Sequence, residues 1–271
     1  MAMQSDDRSP FGEEPVEHVP LAGAPLIKVV CQVRWPMITA FESSAEEILK
    51  HVGKAVAPRF PVTRRQKEVN YVIGPGGVSQ QTGNEIFQYL SSDDNWTLAL
   101  SSSFLALETT AYNSQDDFCE RFRFVLETLQ EVCQIPYVDR IGYRYVNRVA
   151  GRENVDQIHE TINEAVRGGG AVPKGKDSEM IQTLTETVYK VRENKLLARW
   201  AVLPQGVTVD PSIPASDEPS WVLDLDSYRE GRMSSSTAEV IAIMRDLSDT
   251  GYRFFRWAVN ESFLRRFGGD V

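Results

Sequence analysis

The stretch "RIGYRYVNRV" (residues 140–149) sets three arginines, Arg140, Arg144 and Arg148, four residues apart in strand-like sequence. Side chains alternate across a strand, so the three share one face with Gly142 and Val146, about 13 Å from one to the next. Ile141, Tyr143, Tyr145, Asn147 and Val149 share the other face. Planar guanidinium forks at fixed spacing are suited to carboxylate or phosphate partners. Two sources of such anions compete: a ligand or partner, and the chain itself. "WVLDLDSY" (221–228) offers Asp224 and Asp226 on one strand face, enough to pair with the arginines internally. A D-x-D pair is also oxygen chemistry for a divalent cation, but the sequence identifies no third oxygen ligand. A weaker echo lies in "PLIKVVCQVRW" (25–35), where Lys28, Gln32 and Arg34 share a face. Arg34, Arg140, Arg144, Asn147, Arg148, Asp224 and Asp226 are therefore the candidate binding residues.

Other chemistry finds little support. His18, His51 and His159 are scattered, without the spacing of a metal site or a histidine-dependent triad. There is no G-x-S-x-G elbow, no Walker A and no G-x-G-x-x-G. "GPGG" (74–77) lacks the following Lys-Ser/Thr and reads as a hairpin turn, and "RRQK" (64–67) reads as a small basic loop. "GYRFFRWAVNESFLRRFGG" (251–269) interleaves Phe254, Phe255, Trp257 and Phe263 with four arginines. Such interleaving can stack bases; on a helix it more often gives an apolar core stripe and an arginine-rich outer side. Cys31, Cys119 and Cys133 form no C-x-x-C and read as buried free thiols. No catalytic residue, metal ligand or cofactor is assigned.

The elements that must position these residues follow from periodicity. Residues 1–20 are polar and proline-containing and read as a disordered lead-in. A first strand ends at Trp35. Ser44 and Glu47 form a capping box for a helix carrying Ile48, Leu49, Val52 and Val56. Strands follow at 69–73 and in "EIFQYLSS", "WTLALSS" and "FLALETTAY". A helix then opens at Ser114, with Phe118, Phe122, Val125, Leu129 and Val132 on one stripe. The second half repeats the order: the arginine strand, a helix in "NVDQIHETINEAVR", two strands joined at Glu193–Asn194, "WVLDLDSY", and helical sequence from Ser236 to about Phe267. The loops 168–177 and 204–219 read as mobile. The expectation is an α+β fold of two similar β-α-β(3-4)-α halves, residues 21–136 and 137–271, forming one compact unit. Its curved antiparallel sheet would carry helices on one face, as in TATA-box-binding-protein-like or helix-grip-like saddles.

The chain has 271 residues and a net charge of −9 from 29 basic and 38 acidic side chains. That balance argues against a general DNA coat, whose affinity rests on neutralised phosphates, and leaves room for a local basic patch. No run of about 18 apolar residues and no apolar leader is seen, so a soluble cytoplasmic protein without membrane contact is expected.

Three segments, "APLIKVVCQVRWP", "RIGYRYVNRV" and "WVLDLDSY", resemble the signature strands of a sporadically distributed bacterial and archaeal family of uncharacterised proteins, over nearly the whole span from Ala24 to Phe267. The resemblance implies that Arg34, Arg140, Gly142, Arg144, Tyr145, Asn147, Arg148, Asp224 and Asp226 matter, and implies no enzyme chemistry. The family's patchy distribution is similar to that of mobile defence or toxin–antitoxin genes. The first expectation is a non-enzymatic interaction protein with a nearby-encoded protein partner, a neutralising or accessory component of such a locus. The alternatives are a nucleotide- or nucleic-acid-binding module using the arginine face, and a metal-dependent enzyme at Asp224 and Asp226.

Overall fold

The fold is described from a computed structural model covering residues 9–12, 14–74, 77–172 and 175–271, with the backbone alone at 68–74 and 77–84. The turn expected at "GPGG" lies partly outside the described residues. Nine strands and five α-helices are found among the described residues. The first part runs β1 (Leu26–Arg34), α1 (Thr39–Val56), β2 (Val62–Gly74), β3 (Gly77–Leu90), β4 (Trp96–Ser101), β5 (Phe104–Thr109) and α2 (Gln115–Gln130). The second runs β6 (Val138–Ala150), α3 (Arg152–Asp156), β7 (Thr183–Val191), β8 (Asn194–Leu203), β9 (Ser220–Met233), α4 (Thr237–Ala258) and α5 (Glu261–Arg266). The strands form one sheet in the order β2-β3-β4-β5-β1-β6-β9-β8-β7. The fold class is α+β, as expected.

Contacts divide the chain into two compact units. One holds the residues up to Val29, Tyr143–Tyr228 and Asp246–Val271; the other holds Val30–Gly142 and Arg229–Arg245. In the second of these, β2 to β5 form an antiparallel meander. The basic "RRQK" segment lies on β2, not in a loop. Trp96, Leu98 and Leu100 alternate inward on β4, and the Trp96 ring meets Phe118 of α2 at 5.7 Å. Helix α2 begins as its capping box dictates: the Ser114 hydroxyl accepts from the Asp117 amide at 3.1 Å. Its stripe is buried through Leu129, while Val132 lies beyond the helix and is exposed. Ser44 leaves helical geometry (φ −138°, ψ 27°) inside α1, so the expected cap marks a break after a short leading turn. All three cysteines are buried free thiols, and burial pushes the Cys119 thiol up to about 11.

In the other unit, β7, β8 and β9 form an antiparallel ribbon. One face of it carries Trp200, Trp221, Leu223 and Leu225, packed with Phe254, Phe255 and Phe263 from the C-terminal helices. The aromatic–arginine stretch is therefore core on its aromatic side. Helix α4 stops at Ala258 because Val259 bridges to Ile162 and the Asn260 side chain caps α5 through the Phe263 amide.

Among the described residues of the 1–20 segment, Phe11 packs on Tyr189 at 5.0 Å, Val19 is buried, and its amide donates to the Tyr252 hydroxyl. One expectation is corrected here. The helix expected in 154–167 is broken into α3 and short 3-10 turns at 158–160, 164–166 and 168–171. Thr161 bonds back to the Ile158 carbonyl and Asn163 caps Ala165, local bonds that compete with a helical ladder. The three consecutive glycines 168–170 disfavour an α-helix and fall in the last 3-10 turn.

Candidate functional site

Glu186 of β7, Arg199 of β8 and Asp224 of β9 stand directly opposite one another across three strands. Cross-strand neighbours on one face lie close enough to pair, and these do. Arg199 donates from Nε to Glu186 Oε2 at 2.6 Å and from Nη1 to Asp224 Oδ2 at 3.2 Å. Arg144 of β6 completes the row with a two-pronged bond to Asp224: Nε to Oδ1 at 2.7 Å and Nη2 to Oδ2 at 2.8 Å. Two guanidinium groups thus meet three carboxylates, Glu186, Asp210 and Asp224, and the cluster carries no surplus positive charge. Asp224 is 1% exposed.

Residues 204–219 lie over this charged face as a strap. Asp210 accepts from Arg144 Nη2 at 3.1 Å and Ser212 from Arg144 Nη1 at 3.2 Å. The Ser212 carbonyl accepts from Lys28 at 3.1 Å, and the Pro214 carbonyl accepts from Arg148 Nη2. Ile213 plugs into a small second core with Val146, Ala201, Leu203 and Val222. The segment expected to be mobile is held by both faces of its own sequence. On the arginine face of β6 the strap covers Arg144 and Arg148.

Electrostatics agree with this packing. Burial alone would pull the Arg144 pKa down, but the hydrogen bonds and charge of Asp224, with Asp210 and Asp226 adding, outweigh it and drive the pKa up. Arg199 is raised in the same way by Glu186 and Asp224 against its desolvation. Arg148 has no carboxylate and is lowered by burial. Burial opposes the charge of Asp210, yet Ser212 and Arg144 hold its carboxyl below the usual value.

Of the expected residues, Arg144 and Asp224 are brought into direct contact, and Asp226 adds its field to Arg144. Asn147 is buried and donates to the Leu223 carbonyl at 3.4 Å, a structural bond. Arg34 and Arg140 belong to the other unit. Arg140 lies over Gly142 on its own strand, where an added Cβ would come within 2.7 Å of its Nη1. Arg199, Glu186, Asp210 and Ser212 are the members that sequence reasoning missed. Arg199 was legible by alternation in "LLARWAV"; Asp210 had only a turn-like "DPS" to mark it. A cation at Asp224 and Asp226 has no obvious opening, since both Asp224 oxygens already accept from arginines. Among the described residues no group of three or more His, Cys, Asp or Glu side chains is placed to hold a metal ion, and no helix is long and apolar enough to cross a membrane.

The strap is expected to loosen in acid. Asp210 has a lowered folded pKa, so its contribution is fully present above the unfolded carboxylate value of about 4 and disappears as pH falls through the lower folded one. Hydrogen exchange of residues 204–219 should rise below about pH 4, and Asp210→Asn should show the faster exchange already at neutral pH. Equal exchange in the two proteins at pH 7 would remove Asp210 as the latch.

No family model matches this chain, and no curated protein does.

Proposed function

We propose that the chain acts by binding another protein and not by catalysis, with strand β7 as the docking edge. The observation that carries this reading is the apolar exposure of that strand. Leu184 and Val188 are 54% and 56% exposed, and Ile181 just before them is 75% exposed. β7 ends the strand order, so among the described residues one side of its backbone ladder has no neighbouring strand. Edges of this kind are usually blunted by charge. β2, at the other end of the order, carries exposed Arg64, Arg65 and Lys67, whereas β7 does not carry such a run. An extended segment adding to an open edge gains main-chain hydrogen bonds, and its alternate side chains give specificity. Glu186, Val188 and Lys190 share one face of β7. The fitting occupant is an antiparallel segment of a partner protein reading acidic-x-apolar-x-basic, opposite Lys190, Val188 and Glu186.

The nucleotide and nucleic-acid reading draws little from Arg144 and Arg199, whose guanidinium groups already bond Glu186, Asp210, Ser212 and Asp224. Membership of a defence or toxin–antitoxin locus rests on the resemblance of the signature strands. The division into two similar β-α-β(3-4)-α halves of a TATA-box-binding-protein-like or helix-grip-like fold is part of the same proposal, supported by the element order.

The test is co-expression of the tagged chain with its neighbouring genes, followed by light scattering of the purified complex. A stoichiometric heteromeric complex is expected, weakened at least tenfold by Val188→Glu with an unchanged melting temperature of the isolated chain. A complex indifferent to Val188→Glu overturns β7 as the edge. A homodimer that Val188→Glu dissolves would identify a second copy, not a different protein, as the occupant.

A further inference from the structure

A cavity of about 380 Å³ opens on the face of β8 and β9 opposite the ionic cluster, within the size range of small-molecule sites, roughly 300–1,000 Å³. Its apolar lining is Trp200, Trp221, Ile158, Ile162 and Val166. The turns that replaced the expected helix supply one wall. Gly168 lets that wall approach closely: its φ is +54°, and an added Cβ would lie 3.0 Å from Thr185 Oγ1 and 3.4 Å from Trp200 Nε1.

Two lining residues carry buried donors without partners. Trp200 is 6% exposed and its Nε1–H has no hydrogen-bond acceptor; the Arg167 Nε–H is buried and also has none. Buried N–H groups left unpaired are costly and ordinarily find an acceptor. Both groups here are donors, so what completes them is an acceptor, and the guanidinium favours an anionic one. Arg152 and His159 also line the cavity, with Asp156 and Glu179 as its acidic members. Glu179 lies 3.8 Å from Arg152, which leaves Arg167 as the cation best placed for an incoming charge.

We propose that this cavity binds a small amphipathic carboxylate, its apolar body on Trp200 and Trp221 and its carboxylate on Arg167 and the Trp200 indole N–H. Aryl or branched alkyl acids fit that description, because the walls are largely apolar and two of the lining residues hold N–H donors without acceptors. Ile181, which also adds to the exposed apolar surface beside β7, lies in the cavity's lining; Leu184, Glu186, Val188 and Lys190 do not, so Val188→Glu and the acid titration test the two readings separately.

The experiment titrates 1-naphthaleneacetate into the full chain, read by tryptophan emission and by calorimetry. Saturable 1:1 binding is expected, with the uncharged 1-naphthaleneethanol at least tenfold weaker. Arg167→Gln should lose about tenfold in affinity for the acid and little for the alcohol. Trp200→Phe keeps the ring and should lose several-fold. Absence of saturation by about 1 mM acid, or equal affinity for acid and alcohol in the wild-type chain, overturns the proposal. The acid–alcohol comparison needs no variant, so it decides the matter even if a substitution unfolds the chain.

Discussion

Arg144→Ala is expected to destabilise the chain by about 3 kcal/mol, lowering the melting temperature by roughly 10 °C. The side chain of Arg144 is only 17% exposed and that of Asp224 only 1%, so little solvent is present to screen the pair or to rehydrate what remains. Removing the guanidinium strips Asp224 of its two shortest bonds and frees Asp210 and Ser212 from their anchor. Arg199 stays on Asp224 Oδ2, which keeps the loss at the lower end of the range for a broken buried pair, about 3–5 kcal/mol. The double substitution Arg144→Met with Asp224→Leu should recover much of the loss, because an apolar replacement of both partners avoids an uncompensated buried charge. Thermal melts of the three proteins provide the measurement. A single variant melting within about 2 °C of wild type would mean that Arg144 is not an internal strut.

Phe254→Ala should be as damaging or worse, at about 3–5 kcal/mol. Its ring is 1% exposed and lies within 5.2–6.3 Å, centroid to centroid, of Trp257, Tyr189, Phe11 and Trp200. Deleting it opens a void beneath β7 and β8 that neighbouring rings cannot fill without leaving their rotamers. The two variants are distinguishable by pH. The arginine variant should move toward wild type in acid, because the contribution of Asp210, whose folded pKa is lowered, is lost from wild type as pH falls through that value, whereas the phenylalanine variant should keep its deficit. Proteolysis within residues 9–20 should also speed up in Phe254→Ala, since Phe11 loses a packing partner. A loss below about 1 kcal/mol would restore base stacking as a use for this aromatic stretch.

Alternation made much of this legible. The burial of Ile141, Tyr143, Asn147 and Val149, and the pairing of Arg144 with Asp224, follow from period-two side chains and charge complementarity in two short stretches. Register is less accessible. Nothing local in "TETVYKV" or "KLLARWAV" says that Glu186, Arg199 and Asp224 stand in one row, because that depends on how three separated strands slide past one another. Loop conformation is harder still. Prolines and serines in 204–219 suggested mobility, yet one isoleucine and one aspartate bind the segment down. Helical spacing in 154–167 was genuine for Val155, Ile158, Ile162 and Val166, and all four do line one cavity; side-chain bonds from Thr161 and Asn163 prevented the backbone from following.

The sharing of Asp224 between two arginines on different strands bears on how such a sequence can drift. Either arginine can be lost singly at a graded cost, because the other still holds the carboxylate. Loss of Asp224 takes one carboxylate from two arginines at once, leaving Arg144 on Asp210 and Arg199 on Glu186. A change at any one of positions 144, 199 and 224 therefore alters the cost of changing the other two, and the three are expected to drift as a coupled set.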